Sequence, residues 1–227
     1  MSEYHIECIS LSKQYSRNKQ IINAVDDISL GINKNEMVII KGRSGAGKST
    51  LLSLMCGLIK PTYGKVMIDN DCIGELSNEA LSELLLKRIG IIFQSFNLLP
   101  TYTVYENIEI ALVPKGINYK TDKENIMSLI EQFDLKDKDR LLPSELSVGQ
   151  QQKVAIIRTL VKQPEIIFAD EPTGSVDDET AQEILGQLTY LKKKKLVTLV
   201  VATHGNIPEK LADKIYTMEN GRIKRNP

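Results

Sequence analysis

The sequence predicts an α/β protein: a mostly parallel sheet covered on both faces by helices, with a helical segment inserted between two core strands. Three observations predict it. Apolar runs of strand length at residues 37–40, 89–93, 165–169 and 196–202 alternate with stretches of helical pattern. These runs are rich in Ile, Val and Leu, which is how strands buried on both faces read. A glycine-rich turn joins the first of them to an apolar helical run at 51–59.

The remaining elements follow along the chain. Residues 6–11 and 28–32 read as strands joined by a polar stretch rich in Lys, Asn and Gln. Pro61 to Gly64 punctuate the first helix, and 65–69 read as another strand. Residues 79–87 have helical pattern. From about 104 to 160 the pattern is mostly helical, broken near 114–116 and at Leu142 and Pro143; this is the insertion. A helix is expected from about 178 to 191, and 214–224 resembles a short hairpin around Asn220 and Gly221.

Composition narrows the function. A chain of 227 residues with 42% hydrophobic residues suits one sizeable domain. Trp is absent, so aliphatic packing must dominate. Lys and Arg total 29 and Asp and Glu total 29, so the basic excess that marks nucleic-acid binders is missing and no nucleic-acid partner is expected. The one dense basic run, Lys192 to Lys195, reads as a solvated helix end, where cations suit the helix dipole. Cys8, Cys56 and Cys72 form no C-x-x-C pair, which fits a reducing cytosol. Residues 1–7 lack a basic start followed by an apolar segment. No apolar run approaches the roughly 18 residues that a membrane-spanning helix needs. Any service to a membrane is therefore expected from outside the bilayer.

Two motifs carry chemistry. Gly42-Arg43-Ser44-Gly45-Ala46-Gly47-Lys48-Ser49-Thr50 matches G-x-x-x-x-G-K-[ST]. Its glycines let backbone N–H groups curl around an anion. The helix starting near Lys48 aims its positive end at phosphate. Lys48 should reach the β- and γ-phosphates, and the Ser49 hydroxyl should ligate Mg²⁺. The apolar strand 166–169 then ends in Asp170-Glu171. Asp170 can hold the metal ion at the sheet's C-terminal edge. Glu171 points to the other side of the chain and is free to polarise a water, the division of labour phosphoryl transfer needs. These two motifs alone define a P-loop NTPase.

The residues between them narrow the class. Leu146-Ser147-Val148-Gly149-Gln150-Gln151-Gln152 resembles the signature sequence of ABC ATPases. Gln94 resembles the Q-loop glutamine, and Glu171-Pro172-Thr173-Gly174-Ser175-Val176-Asp177 resembles the catalytic glutamate followed by the D-loop. His204 resembles the switch histidine, and Tyr15 the adenine-stacking aromatic. Phe93 to Thr101, continuing through Val104-Tyr105-Glu106-Asn107-Ile108, is similar to the macrolide-exporter, lipoprotein-release and peptide-resistance group.

The resemblance implies a RecA-like core with an N-terminal antiparallel β subdomain (about 1–94 and 161–227) and a helical subdomain (about 95–160). It implies ATP and Mg²⁺ as cofactors, with Ser49, Gln94 and Asp170 at the metal and Lys48, Gln94, Glu171 and His204 catalytic. Two copies would meet head to tail. Ser147, Gly149 and Gln150 of one would complete the γ-phosphate site of the other, and Asp177 would couple the sites. An integral membrane permease would dock near 94–99, with the chain peripheral on the inner face of the cell membrane. Phe96, Leu98 and Leu99 read either as that docking surface or as subdomain core. The alternative function is a soluble or regulatory ABC ATPase without a transport role, though the chain has neither the long heptad run of repair types nor a second cassette. Three positions depart from the pattern: Val148 replaces a glycine, Lys153 stands where Arg is common, and Gly205 replaces an acidic residue. A β-branched residue does not easily take φ > 0, so the loop at Val148 is expected to be ordinary backbone.

Overall fold

The computed structural model describes residues 3–17, 20–194, 197–205 and 207–224, with Arg17 and Tyr119 described by their backbone only. Residues 1–2, Lys195 and Leu196, which entered the expectations above, lie outside the described residues. Two sheets carry the chain. One is antiparallel, in the order β2 (Gln20–Ile32), β1 (Ile6–Arg17), β4 (Tyr63–Ile68), β5 (Asp71–Cys72). The other runs β10 (Arg222–Lys224), β9 (Lys214–Glu219), β3 (Met37–Lys41), β8 (Thr198–Thr203), β7 (Ile166–Asp170), β6 (Ile89–Ile92). Its strands are parallel except β10, which returns antiparallel on β9.

Side-chain alternation along the parallel strands splits the core in two. Val38 and Ile40, Ile166 and Phe168, and Val200 and Ala202 face α1 (Lys48–Met55) and the antiparallel sheet. Met37 and Ile39, Ile167 and Ala169, and Leu199 and Val201 face the opposite way. There they pack with α3 (Val104–Glu109), α4 (Tyr119–Gln132), α5 (Val148–Leu160) and α6 (Asp178–Lys193). α2 (Asn78–Lys87) leads into β6.

Two elements differ from the sequence reading. The polar stretch between the first two expected strands is itself a hairpin, paired from Ile6 with Ile32 to Arg17 with Gln20. Its register slips three times, and Ser10 and Asp27 take left-handed backbone (φ 45° and 50°), so no clean alternation survives in the sequence. The helix expected to reach Ile59 stops at Met55, where Gly57 (φ 78°) turns the chain. The inserted segment is three separate helices, divided at the two breaks that the sequence reading places near 114–116 and 142–143. α3 and α5 start at side-chain caps: Thr103 with Glu106, and Ser147 with Gln150, each accept and return a bond in a capping box.

Candidate active site

The phosphate-loop motif links β3 to α1 and is moulded from outside. Gly42 N–H donates to Thr203 O (3.3 Å), and Gly221 N–H donates to Ala46 O (3.0 Å). At Gly47, φ is 103°, and a Cβ there would stand 2.0 Å from Ala24 O and 2.8 Å from Met218 Cε. Only glycine fits both the dihedral and the space.

Lys48 begins α1 with a buried side chain. Its Nζ donates to the loop's own carbonyls, Gly42 O at 2.8 Å and Arg43 O at 3.3 Å, and lies 3.4 Å from Glu171 Oε1. Glu171 follows β7 in left-handed backbone (φ 49°). Its Oε1 lies 2.8 Å from His204 Nδ1, and its Oε2 accepts the His204 N–H at 3.1 Å. Burial pushes this carboxyl upward, but the His204 bonds and the Lys48 charge outweigh it and hold the group below its usual value. Glu171 is therefore a carboxylate at neutral pH, held within a charge network.

Asp170 lies one residue back and faces the α1 side. Burial raises its pKa, with the Ser49 hydroxyl bond pulling down and Glu171 pushing up. Its Oδ1 is buried without a partner among the described residues. An orphaned carboxylate oxygen beside a hydroxyl suits a small hard cation that takes one protein carboxylate and completes its shell with phosphate oxygens and water. The residues present fit Mg²⁺.

Apart from Asp170, which lines a small cavity beside Ser49, these groups open into one cleft of about 580 Å³. Its lining unites Ser44, Gly45, Gly47, Lys48, Ser49 and Thr50 with Gln94, Glu171 and His204. Ile22, Asn23, Ala24, Asn220 and Gly221 complete it. Gly42 leads the loop in from β3, and Arg43 and Ala46 line a cavity beside it with Met218 and Glu219. Tyr15 pairs with Ile22 across the hairpin, so it sits at the rim, 43% exposed, with Lys13 Nζ 5.4 Å from its ring centroid. Sequence reasoning missed Ile22, Asn23, Ala24, Met218 and Asn220. The Asn220-Gly221 turn signal marked a hairpin but gave no sign that its tip would flank the phosphate loop.

Four expected site residues are elsewhere. Ser147, Gly149, Gln150 and Asp177 line no part of the cleft. Ser147 caps α5, accepting from Gln150 N–H at 3.2 Å, while Asp177 caps α6 through Thr180 N–H and Oγ1, both at 2.9 Å. The two segments touch: a Cβ on Gly149 would stand 3.0 Å from Thr180 Cγ2. Val148 opens α5 in ordinary helical backbone and is 48% exposed. Lys153 keeps an ion pair with Glu183 at 2.6 Å, linking α5 to α6. Leu98 packs on the helical core, whereas Phe93 and Leu99 are exposed.

A parallel sheet whose first core strand ends in this loop, with a pair of carboxylates at the end of a nearby strand, defines a P-loop nucleoside-triphosphatase. Residues 25–174 match the family model described as "ABC transporter". The chain belongs to that family and is an ATP-binding, ATP-hydrolysing cassette of transporter systems. It is 38% identical to the ABC transporter ATP-binding protein YtrE of Bacillus subtilis, over 89% of this chain and 88% of that one. The methionine import ATP-binding protein MetN of Staphylococcus saprophyticus is 39% identical over 96% of this chain, which spans 64% of that longer relative. The dimeric structure of MJ0796, a cassette of Methanocaldococcus jannaschii, superposes with a TM-score of 0.92 at 35% identity, covering 97% of both chains. A second dimeric structure of the same cassette, in a post-hydrolysis state with ADP and Pi, superposes at 0.91. These relatives are consistent with the exporter and lipoprotein-release resemblance.

Proposed function

We propose that two copies of this chain close head to tail on two ATP molecules and thereby drive a membrane permease. One observation carries the reading: the site is split. The cleft holds Lys48, Glu171 and His204, while Ser147, Gly149 and Gln150 lie at the start of α5, outside the cleft of their own chain. A helix N-terminus is a ready anion site. A second copy brings it to the γ-phosphate, and the dimeric structures of the MJ0796 cassette support a pairing of two copies.

In this reading Gly42, Arg43, Ser44, Gly45, Ala46, Gly47 and Thr50 cradle the phosphates, and Tyr15 stacks on the adenine. Lys48 gives up its loop carbonyls for the β- and γ-phosphates. Glu171 orients the attacking water, His204 holds both Glu171 and the γ-phosphate, and Asp177 links the two sites. Ser49, Gln94 and Asp170 would hold Mg²⁺, which would neutralise charge building on the transferred phosphoryl group. Residues 95–160 form the helical subdomain and the remainder the core. The permease docks near 94–99, where Leu99 and the neighbouring Phe93 are exposed. Among the described residues no helix is long and apolar enough to cross a membrane. The chain sits peripherally, on the membrane's inner face. The family name of the relatives supports a transport partner over a soluble role.

The test is Glu171→Gln with ATP and Mg²⁺. It should bind ATP, lose hydrolysis by at least about 10²-fold, the scale for a general base, and sediment as a dimer only when ATP is present. A variant that stays monomeric with bound ATP would overturn the split-site reading. Hydrolysis that no membrane fraction stimulates would instead favour the role without transport.

A further inference from the structure

The side of α5 that faces β6 carries a row of donors. Lys162 Nζ, two residues past the helix, donates to Ile89 O (3.0 Å) and Leu85 O (3.2 Å). Thr159 Oγ1 donates to Ile91 O (3.0 Å). Arg158 donates through Nη2 to Phe96 O and through Nη1 to Asn97 O, both at 2.7 Å. β6 is the edge strand of its sheet, paired only with β7 among the described residues. Lys162 and Thr159 therefore satisfy carbonyls that an edge strand leaves open. Arg158 has a different target. It reaches past the strand to the irregular segment that begins with Gln94.

Arg158 is a half-buried guanidinium with no ion pair among the described residues, and burial lowers its pKa with nothing opposing it. Placing this cation under cover without a carboxylate is unfavourable unless its hydrogen bonds matter. The two carbonyls it bonds are consecutive, and the second belongs to Asn97, whose backbone is left-handed (φ 50°). The planar fork of an arginine holds two adjacent carbonyls at a bend with two separate nitrogens at a fixed spacing, a rigidity that the single ammonium of a lysine lacks. Downstream, fully buried Asn107 holds the same segment through Leu99 N–H, Leu99 O, Tyr102 O and Thr103 O. Residues 96–103 are thus pinned at both ends, the first pin being on α5.

The other end of α5 begins at Ser147 and Gly149, about 16 Å away for roughly eleven residues of helix. We infer that Arg158 is a positioning residue that makes α5 a rigid relay: what happens at the Ser147 end is passed through Arg158 to the backbone that carries Gln94. The inference rests on the split-site reading above. It adds that one copy's Gln94 segment reports on the ATP held by the other copy.

The experiment is hydrogen exchange of peptides covering 147–150 and 94–99, in Glu171→Gln protein with and without ATP and Mg²⁺. Glu171→Gln alone is compared with Glu171→Gln carrying Arg158→Gln or Arg158→Lys. ATP should protect 147–150 in all three. At 94–99 the ATP-dependent change should fall by at least half in Arg158→Gln and return in part in Arg158→Lys, which keeps the charge and an N–H donor group but not the planar fork. As a second readout, in protein with Glu171 intact, Arg158→Gln should lower kcat several-fold when Gln94 is present and leave it unchanged beside Gln94→Ala. Protection of 147–150 with an undiminished response at 94–99, or equal kcat losses with and without Gln94, would overturn the relay alone. No ATP-driven protection at 147–150 in any variant would overturn the split site, and the relay with it.

Discussion

Gly45 and Gly47 sit two residues apart in one loop with φ of 78° and 103°, yet they differ in surroundings. A Cβ on Gly45 meets nothing within 4 Å, whereas one on Gly47 would be 2.0 Å from Ala24 O. Gly45→Ala therefore carries only the dihedral term, about 1–2 kcal/mol for an L-residue in left-handed backbone. Gly47→Ala carries a dihedral term at least as large. It also forces backbone or the Met218 side chain to retreat, an overpacking term of about 1–3 kcal/mol. The sum is roughly 2–5 kcal/mol, which in a chain of this size lowers Tm by roughly 4–20 °C. Nucleotide-free thermal and urea unfolding of the two variants measures the difference directly. Gly47→Ala should unfold at clearly lower temperature and urea, and should bind ATP more weakly because its loop has been displaced. If the two variants unfold alike, the Ala24 and Met218 wall does not shape the loop, and the steric argument is wrong.

Lys48→Met removes a charge-assisted contact to phosphate worth roughly 2–3 kcal/mol. ATP affinity measured by titration calorimetry should fall about 30- to 150-fold, the equivalent of that loss, with a folded far-UV spectrum. His5 is buried, and burial lowers its pKa from the ordinary 6.5, with Asp69 and Glu165 raising it and Lys34 and Arg88 lowering it. A depressed histidine leaves stability complete above its ordinary value and removes it as pH falls toward the lower, folded value. The urea midpoint of the wild type should therefore drop between about pH 7.5 and 5.5 by more than that of His5→Gln, and parallel slopes would discount the group. Val148→Gly should reduce Tm only slightly, since a glycine at the first helical position costs under about 1 kcal/mol. In the Glu171→Gln background it should tighten the ATP-dependent dimer, read by sedimentation, because the exposed isopropyl group at the proposed mating face is gone.

The sheet was legible because its strands are buried on both faces, so a run such as Met37, Val38, Ile39 and Ile40 stays apolar whichever way each side chain points. The phosphate loop was legible for the opposite reason: Gly47 and Lys48 answer local demands of backbone and charge. The β1–β2 hairpin was not. One of its faces is solvated, Ile21 is 69% exposed, and three register slips erase the period. That hid Ile22, Asn23 and Ala24, which form one wall of the cleft. Arg158 was equally invisible, since its partners are main-chain oxygens that no residue identity announces.

Lys48 does not wait for nucleotide with an idle charge. Its ammonium already rests on Gly42 O and Arg43 O and beside Glu171. Nucleotide arrival is thus an exchange of partners, and affinity reflects only the difference between the old contacts and the new.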